Sequence, residues 1–238
     1  MIAIIEPYYY WPETTEAAFP RMVEHLERCG RICYKSEDLI TEDSANKFVE
    51  RICRNRHESV LEHCTATAIV VCSRACSHQL VRHRIAAYSQ ESQRYCDYGK
   101  KSSLQVICPP SIGIEPGDYT AEHFENTGCL VWKNGKQWIG SDKPVQWLWQ
   151  VDGAYSEYLA EIKEGVPPGD ARFVLPNACK TELAVTFNLR QWRHFFRTRC
   201  DSHAQWEIRG IATAILTDFT ERMPSVFEDI YKEMVCSR

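Results

Sequence analysis

Residues 182–189 read ELAVTFNL, and within them Leu183, Val185, Phe187 and Leu189 alternate with Glu182, Ala184, Thr186 and Asn188. A period of two places the apolar set on one face of an extended chain, so the stretch predicts a half-buried strand, with Asn188 and Arg190 on its wetter face or at its end. Just beyond it, Trp192, Phe195, Phe196 and Arg199 recur at helical spacing, and the aromatics predict a core-facing stripe.

Working outward, Ile208, Ile211, Ala212, Ile215, Leu216 and Phe219 form an apolar stripe that predicts a long helix over about 203–223. Upstream, Val145, Leu148, Tyr155, Leu159 and Ile162 predict the inward face of a helix over 144–164, with Gly165 ending it. Thr65 to Val71 reads as a buried strand, after which Ser73 caps a short helix ending near Arg84. Asp43 is the expected N-cap of a helix carrying Ala45, Val49 and Ile52. Ala17 to Cys29 predicts another, with Phe19, Met22, Val23 and Leu26 at helical spacing and Gly30 as the stop. Residues 99–143 hold glycine, proline and tryptophan without a sustained period, which predicts an irregular insertion or a hairpin. Helices and strands alternate, so the class is α/β (α+β), expected as a single domain over 1–238 with the insertion at about 99–143.

A chain of 238 residues that is 44% hydrophobic can fill a core. No apolar run approaches the ~20 residues needed to cross a bilayer, and the N-terminus lacks the charged start and cleavage site of a signal peptide. A soluble, unexported protein is expected, so the twelve cysteines read as reduced thiols, most of them small buried apolar residues. Cys29/Cys33 and Cys72/Cys76, with His25 and His78 nearby, invite a zinc reading. Their spacing puts each pair on one helical face without the turn that holds zinc ligands, so no metal is expected.

The net charge of -4 is unevenly spread. Residues 74–94 carry Arg74, Arg82, Arg84 and Arg94 against Glu91 alone. Residues 172–209 carry Arg172, Lys180, Arg190, Arg193, Arg197, Arg199 and Arg209 against Glu182, Asp201 and Glu207. An acidic protein with arginine concentrated in two segments is gathering it around an anionic ligand, whereas a long nucleic acid favours a broader basic surface. None of the eleven glycines forms a G-x-G-x-x-G turn or a phosphate-cradling P-loop, so side chains must hold any phosphates. Arginine suits that work, because its planar fork of donors matches phosphate oxygens two at a time.

The densest candidate is RHRIAAYSQESQRY, residues 82–95, where Arg82, His83 and Arg84 precede Ser89, Gln90, Ser92, Gln93 and Arg94. Its bland alternative is a solvated helix end with arginines paired to carboxylates, but only one acid lies within it. Arg82-His83-Arg84, seven residues, then Ser92 and Arg94-Tyr95 resembles the signature of the flavin-dependent thymidylate synthases. RHESVLEH at 56–63, ARFVLP at 171–176 and NLRQWRHFFRTRCDSHAQWEI at 188–208 also resemble that family, and the four blocks stand in its order.

The resemblance implies a central, mostly antiparallel sheet flanked by helices, and reductive methylation of dUMP to dTMP. Methylenetetrahydrofolate would donate the carbon, and FAD reduced by NADPH would carry the hydride. It implies FAD contacts from Ser59, Arg82, His83, Arg84, Gln90, Asn188, Arg190 and His194. For dUMP it implies Gln79, Arg82, Gln90, Glu91, Ser92, Gln93, Arg94 and Arg172, with Arg199 beside the pyrimidine as the catalytic group. His57, Glu62 and His203 match positions near the flavin or folate. A cytoplasmic homotetramer with shared active sites is implied, in the host cytoplasm if the source is viral, with no nucleic acid or membrane as partner. The chain departs from the pattern at Gln90, where the family often has glutamate, in a longer 95–172 segment, and over residues 1–15, which match nothing.

Uracil C5 is a weak nucleophile, and the folate-only synthases raise its electron density by attack of a Pro-Cys-His cysteine on C6. No such tripeptide occurs: Cys108 precedes proline, and Cys179 and Cys200 are followed by Lys180 and Asp201. Arg199 held against the base would instead stabilise charge on the N3/O4 edge. His83 and Ser92 read as ligand contacts rather than as a base and nucleophile. Two alternatives stay open at this point: a nucleic-acid-binding module with salt-sensitive affinity, and a flavoprotein acting on another pyrimidine nucleotide.

Overall fold

The computed structural model describes residues 1–101, 103–124, 128–133, 136–140 and 143–237. In chain order its elements are β1 (Ile2–Ile4), β2 (Tyr8–Tyr10), α1 (Glu13–Ile32), α2 (Ser44–Arg54), β3 (Thr65–Ser73), α3 (Arg74–Leu80) and β4 (Ala86–Gln90). There follow β5 (Leu104–Val106), β6 (Gly117–Phe124), β7 (Gly128–Lys133), β8 (Lys136–Gly140), α4 (Lys143–Lys163) and α5 (Pro168–Ala171). The chain ends with β9 (Lys180–Asn188), α6 (Leu189–Arg199), α7 (Trp206–Arg222) and α8 (Pro224–Tyr231). The mixed helix and strand class holds, with two mostly antiparallel sheets where one central sheet was expected. No helix among the described residues is long and apolar enough to cross a membrane.

The contacts divide the chain into two compact units, the first comprising residues 1–7, 71–78 and 90–182. Its sheet runs β5-β1-β6-β7-β8, with β1 parallel to β5 and the remaining pairs antiparallel. The stretch read as an irregular insertion or a hairpin is irregular over 107–116 and then forms a meander of β6, β7 and β8; its positions 102, 125–127, 134–135 and 141–142 lie outside the described residues. Residues 1–15, which match nothing in the resembled family, contribute β1, whose Ile2 and Ile4 enter a core with Leu104, Val106, Val145, Leu148, Tyr155 and Tyr158. On α4 the inward line runs through Val151 and Tyr158, while Leu159, expected inside, is 37% exposed. Gly165 ends that helix with φ of 89°, a left-handed conformation that glycine adopts without a Cβ penalty.

The second unit comprises residues 8–70, 79–89 and 183–238, and its sheet order is β2-β3-β9-β4. Leu183, Val185, Phe187 and Leu189 are all buried, so the alternation in β9 reports its packing directly. On the opposite face the Thr67 and Thr186 hydroxyls hydrogen bond at 2.7 Å. Asn188 ends the strand and caps α6, its side chain accepting from the Gln191 amide at 2.8 Å. Trp192 and Phe196 stack within α6 at 5.6 Å, and Phe219 stacks on Phe227 at 4.5 Å, so an aromatic cluster fills this core.

Several boundaries move for identifiable reasons. α1 runs through Gly30 to Ile32, because Gly30 does not stop the helix but admits the Phe48 ring; a Cβ there would lie 2.6 Å from Phe48 Cε1. The C-terminal helix begins at Trp206 rather than near His203, where Gln205 caps the Glu207 and Ile208 amides. The helix expected to end near Arg84 ends at Leu80. Cys72 lies in β3 and Cys76 in α3, so that pair does not share a helical face; both are buried. Burial pushes the thiols of Cys53 and Cys64 up to about 11, which keeps them protonated and unreactive at neutral pH.

Candidate active site

In the second unit, the segment after α3 is folded by one phenol. The Tyr88 hydroxyl lies 2.7 Å from the carbonyls of both Leu80 and His83, which share its one proton, and the His83 amide closes a turn onto Leu80. The turn buries the His83 ring against Phe195, with centroids 5.0 Å apart, and leaves Arg82 and Arg84 exposed on either side. Neither arginine has an ion pair or hydrogen bond among the described residues. Ile85 follows with φ of 67°, a conformation strained for a β-branched side chain, and is 79% exposed.

Arg199, the last residue of α6, reaches this turn. Its Nε donates to His83 Nε2 at 2.8 Å, Nη1 to Gln79 Oε1 at 3.3 Å, and Nη2 to the Gln79 carbonyl at 3.4 Å. No carboxylate pairs with Arg199 among the described residues. Burial, with added repulsion from Arg199 and His194, lowers the His83 pKa to about 4. The imidazole is neutral at pH 7, and since Nε2 accepts, its proton resides on Nδ1.

A cleft of about 450 Å³ is lined by Ile85, Asn188, Arg190, Gln191 and His194 together with Glu58, Glu62 and Arg197. Arg190 pairs with Glu62 at 2.5 Å, and both side chains are about half exposed, so the pair is weak and readily opened. Arg190 also borders a cleft of about 490 Å³ that takes in His57 and Ser59. His57 Nδ1 lies 3.3 Å from the Tyr34 hydroxyl. His203 is exposed, bound to Asp201 at 2.9 Å, and lines neither cleft.

The first unit holds the other expected residues. Gln90 Nε2 donates to the hydroxyls of Ser77 and Thr181 at 3.0 and 3.1 Å, and Ser77 gives its own proton to the Arg74 carbonyl at 2.8 Å, so an amide donor suits a position where a carboxylate would meet a hydroxyl already committed. Glu91 is bound by Lys180 at 3.0 Å and Lys101 at 3.4 Å; burial works to raise its pKa, but the two ammonium groups overcome that and hold it below the usual carboxylate range. Gln93 is buried, and the Ser92 hydroxyl accepts from the Arg94 amide at 3.3 Å. Arg94 and Arg172 meet at Gly169: Arg172 Nε donates to its carbonyl at 3.0 Å, and a Cβ there would sit 3.7 Å from Arg94 Cγ.

Not every arginine in the basic segments is free for a ligand. Arg193 is fully buried and binds Glu58 at 3.0 Å and Asp229 at 2.6 Å, while Arg197 pairs with Glu58 and Glu233. Sequence reasoning passed over Tyr88 and Ile85, although both lie inside the 82–95 block; Glu58 gave no local signal, since its partners lie far along the chain.

A family model described as thymidylate synthase complementing protein matches residues 17–225. The flavin-dependent thymidylate synthase of Geobacter sulfurreducens is 36% identical over 207 residues, covering 84% of this chain and 78% of that protein. The proteins of the same name from Pyrococcus furiosus and Clostridium tetani are 37% and 36% identical over 195 and 224 residues, covering 81% and 88% of this chain and 70% and 82% of their own. With the family model spanning most of its length, the chain belongs to the thymidylate synthase complementing protein family.

Proposed function

We propose that the chain is a flavin-dependent thymidylate synthase that converts dUMP to dTMP, with methylenetetrahydrofolate as carbon donor and FAD reduced by NADPH as hydride carrier. The observation that carries this reading is Arg199: a half-buried guanidinium held by neutral acceptors, with no carboxylate among the described residues to cancel its charge. Such a preorganised cation favours negative charge as it develops on a pyrimidine edge, and it does so without a cysteine nucleophile.

The donor set fits a flavin. Asn188, Gln191, His194 and Arg190 give amide, imidazole and guanidinium groups around one cleft, suited to ring carbonyls and a pyrophosphate, and Ile85 offers an apolar surface. Ser59, Arg82, His83 and Arg84 complete the proposed cofactor contacts. When bound, the reduced flavin supplies the hydride; the chain's own residues orient ligands and exclude water. Gln79, Arg82, Gln90, Glu91, Ser92, Gln93, Arg94 and Arg172 are proposed to hold dUMP, with Arg94 and Arg172 on its phosphate. The Lys180 and Lys101 pairs turn the Glu91 carboxylate into a brace for that segment.

A single catalytic domain is supported by a family match that runs continuously through both units. A cytoplasmic homotetramer with shared active sites completes the proposal, the reducing cytoplasm suiting a chain rich in free thiols. The test is purification followed by incubation with dUMP, methylenetetrahydrofolate and NADPH. A flavin absorbance band that dUMP perturbs, and dTMP formation, are expected; colourless protein, or flavin protein that makes no dTMP, would overturn the reading.

A further inference from the structure

We propose that His83 is a positioning residue for Arg199, holding the guanidinium by accepting a hydrogen bond at Nε2 while leaving its charge intact. The inference rests on the catalytic role given to Arg199 and adds a function for His83 beyond contact with the cofactor. Arg199 stands at the end of α6 on a long side chain, and a free guanidinium there would lose rotamer entropy each time it engaged a ligand. The 2.8 Å bond to His83 and the two bonds to Gln79 settle that geometry beforehand.

The chemistry explains why an imidazole stands in this turn. Phenylalanine would pack on Phe195 and Phe187 at no desolvation cost but has no lone pair for Nε. A carboxylate would hold the fork more strongly and cancel the charge. Neutral histidine does neither, and three causes keep it neutral: burial penalises its cation, Arg199 repels it, and His194 adds to that. Tyr88, the other titratable group at the turn, is held protonated by burial and uses its hydroxyl on backbone carbonyls. The accepting Nε2 also fixes the tautomer, so Nδ1–H remains uncommitted among the described residues.

The experiment compares His83→Phe, which keeps the ring, with His83→Gln, which keeps an acceptor, each alone and combined with Arg199→Lys. His83→Phe is expected to lower kcat about tenfold or more with the dUMP KM changed by less than about threefold, His83→Gln to regain most of that, and His83→Phe to cost less than about twofold in the Arg199→Lys background. Fully additive losses, or glutamine no better than phenylalanine, would overturn the proposal. Imidazole nitrogen NMR on labelled protein gives a readout that needs no turnover, so it separates failure of this pairing from failure of the synthase reading. The expected signals are an unprotonated Nε2 and a protonated Nδ1 at neutral pH, with the titration of His83 moving upward in Arg199→Met. A proton on Nε2, or a titration unmoved by that substitution, would sink it.

Discussion

Arg193 and Arg199 sit six residues apart on α6, and the helix uses them in opposite ways. Arg193, fully buried, donates to Glu58, to both oxygens of Asp229 and to the Val226 carbonyl, so its charge is spent inside the fold. Arg199 is held by an imidazole, an amide and a peptide carbonyl, and its charge remains available. Two identical side chains on one helix thus separate a charge neutralised by the fold from one left open, through the partners each was given. A basic segment is not a site until each cation's partners are known.

The sharpest way to break this contrast is to substitute both. Arg199→Lys keeps a cation but loses the fork, and turnover should fall about a hundredfold, the scale of removing one preorganised donor, while urea midpoints stay near the wild type. Undiminished turnover would end the catalytic role of Arg199. Arg193→Met should do the reverse, costing about 3 kcal/mol of unfolding free energy because Asp229 and the Val226 carbonyl lose their donor and Glu58 keeps only the longer pair with Arg197. An unchanged denaturation midpoint would count against the buried pair.

Titration sharpens the contrast further. The His83 pKa is lowered from 6.5 to about 4 by burial first and Arg199 second. Above pH 6.5 the folded and unfolded states are both neutral there; as pH falls toward 4 the unfolded chain takes up a proton that the fold refuses, so stability drops through that window. For Asp229, burial raises the pKa but Arg193 more than reverses it, so its contribution is present above the unfolded value of 3.8 and is lost as pH falls below that. Urea midpoints against pH should therefore show an upper phase that His83→Phe removes and a lower one that Arg193→Met removes. The smallest effect is expected at Arg197, whose side chain is 37% exposed: Arg197→Gln should cost less than about 1 kcal/mol, read from the same midpoints.

Regular, buried elements were legible in the sequence. The alternation in β9 and the Ala45, Val49 and Ile52 spacing in α2 each placed an element, because one face of each is buried along its whole length. β1 was not legible, since three residues are too few to display a period. The β6 to β8 meander was hidden by frequent glycine, and Gly30 misled because its smallness serves the Phe48 ring rather than a helix end. Within the site, the 82–95 and 188–199 blocks were visible as concentrations of arginine. The division of labour among those arginines was not, because Glu58 and Asp229 lie 135 and 36 residues from Arg193.

Ile85 keeps a left-handed backbone that a glycine would adopt without strain, on the rim of the cleft proposed for the flavin. Selection for heat tolerance alone would favour trading it away, and the protein would surrender a greasy platform on which a flat ring can rest. In the proposed flavin site, a branched side chain in so uncomfortable a posture would exchange local stability for grip on the ring.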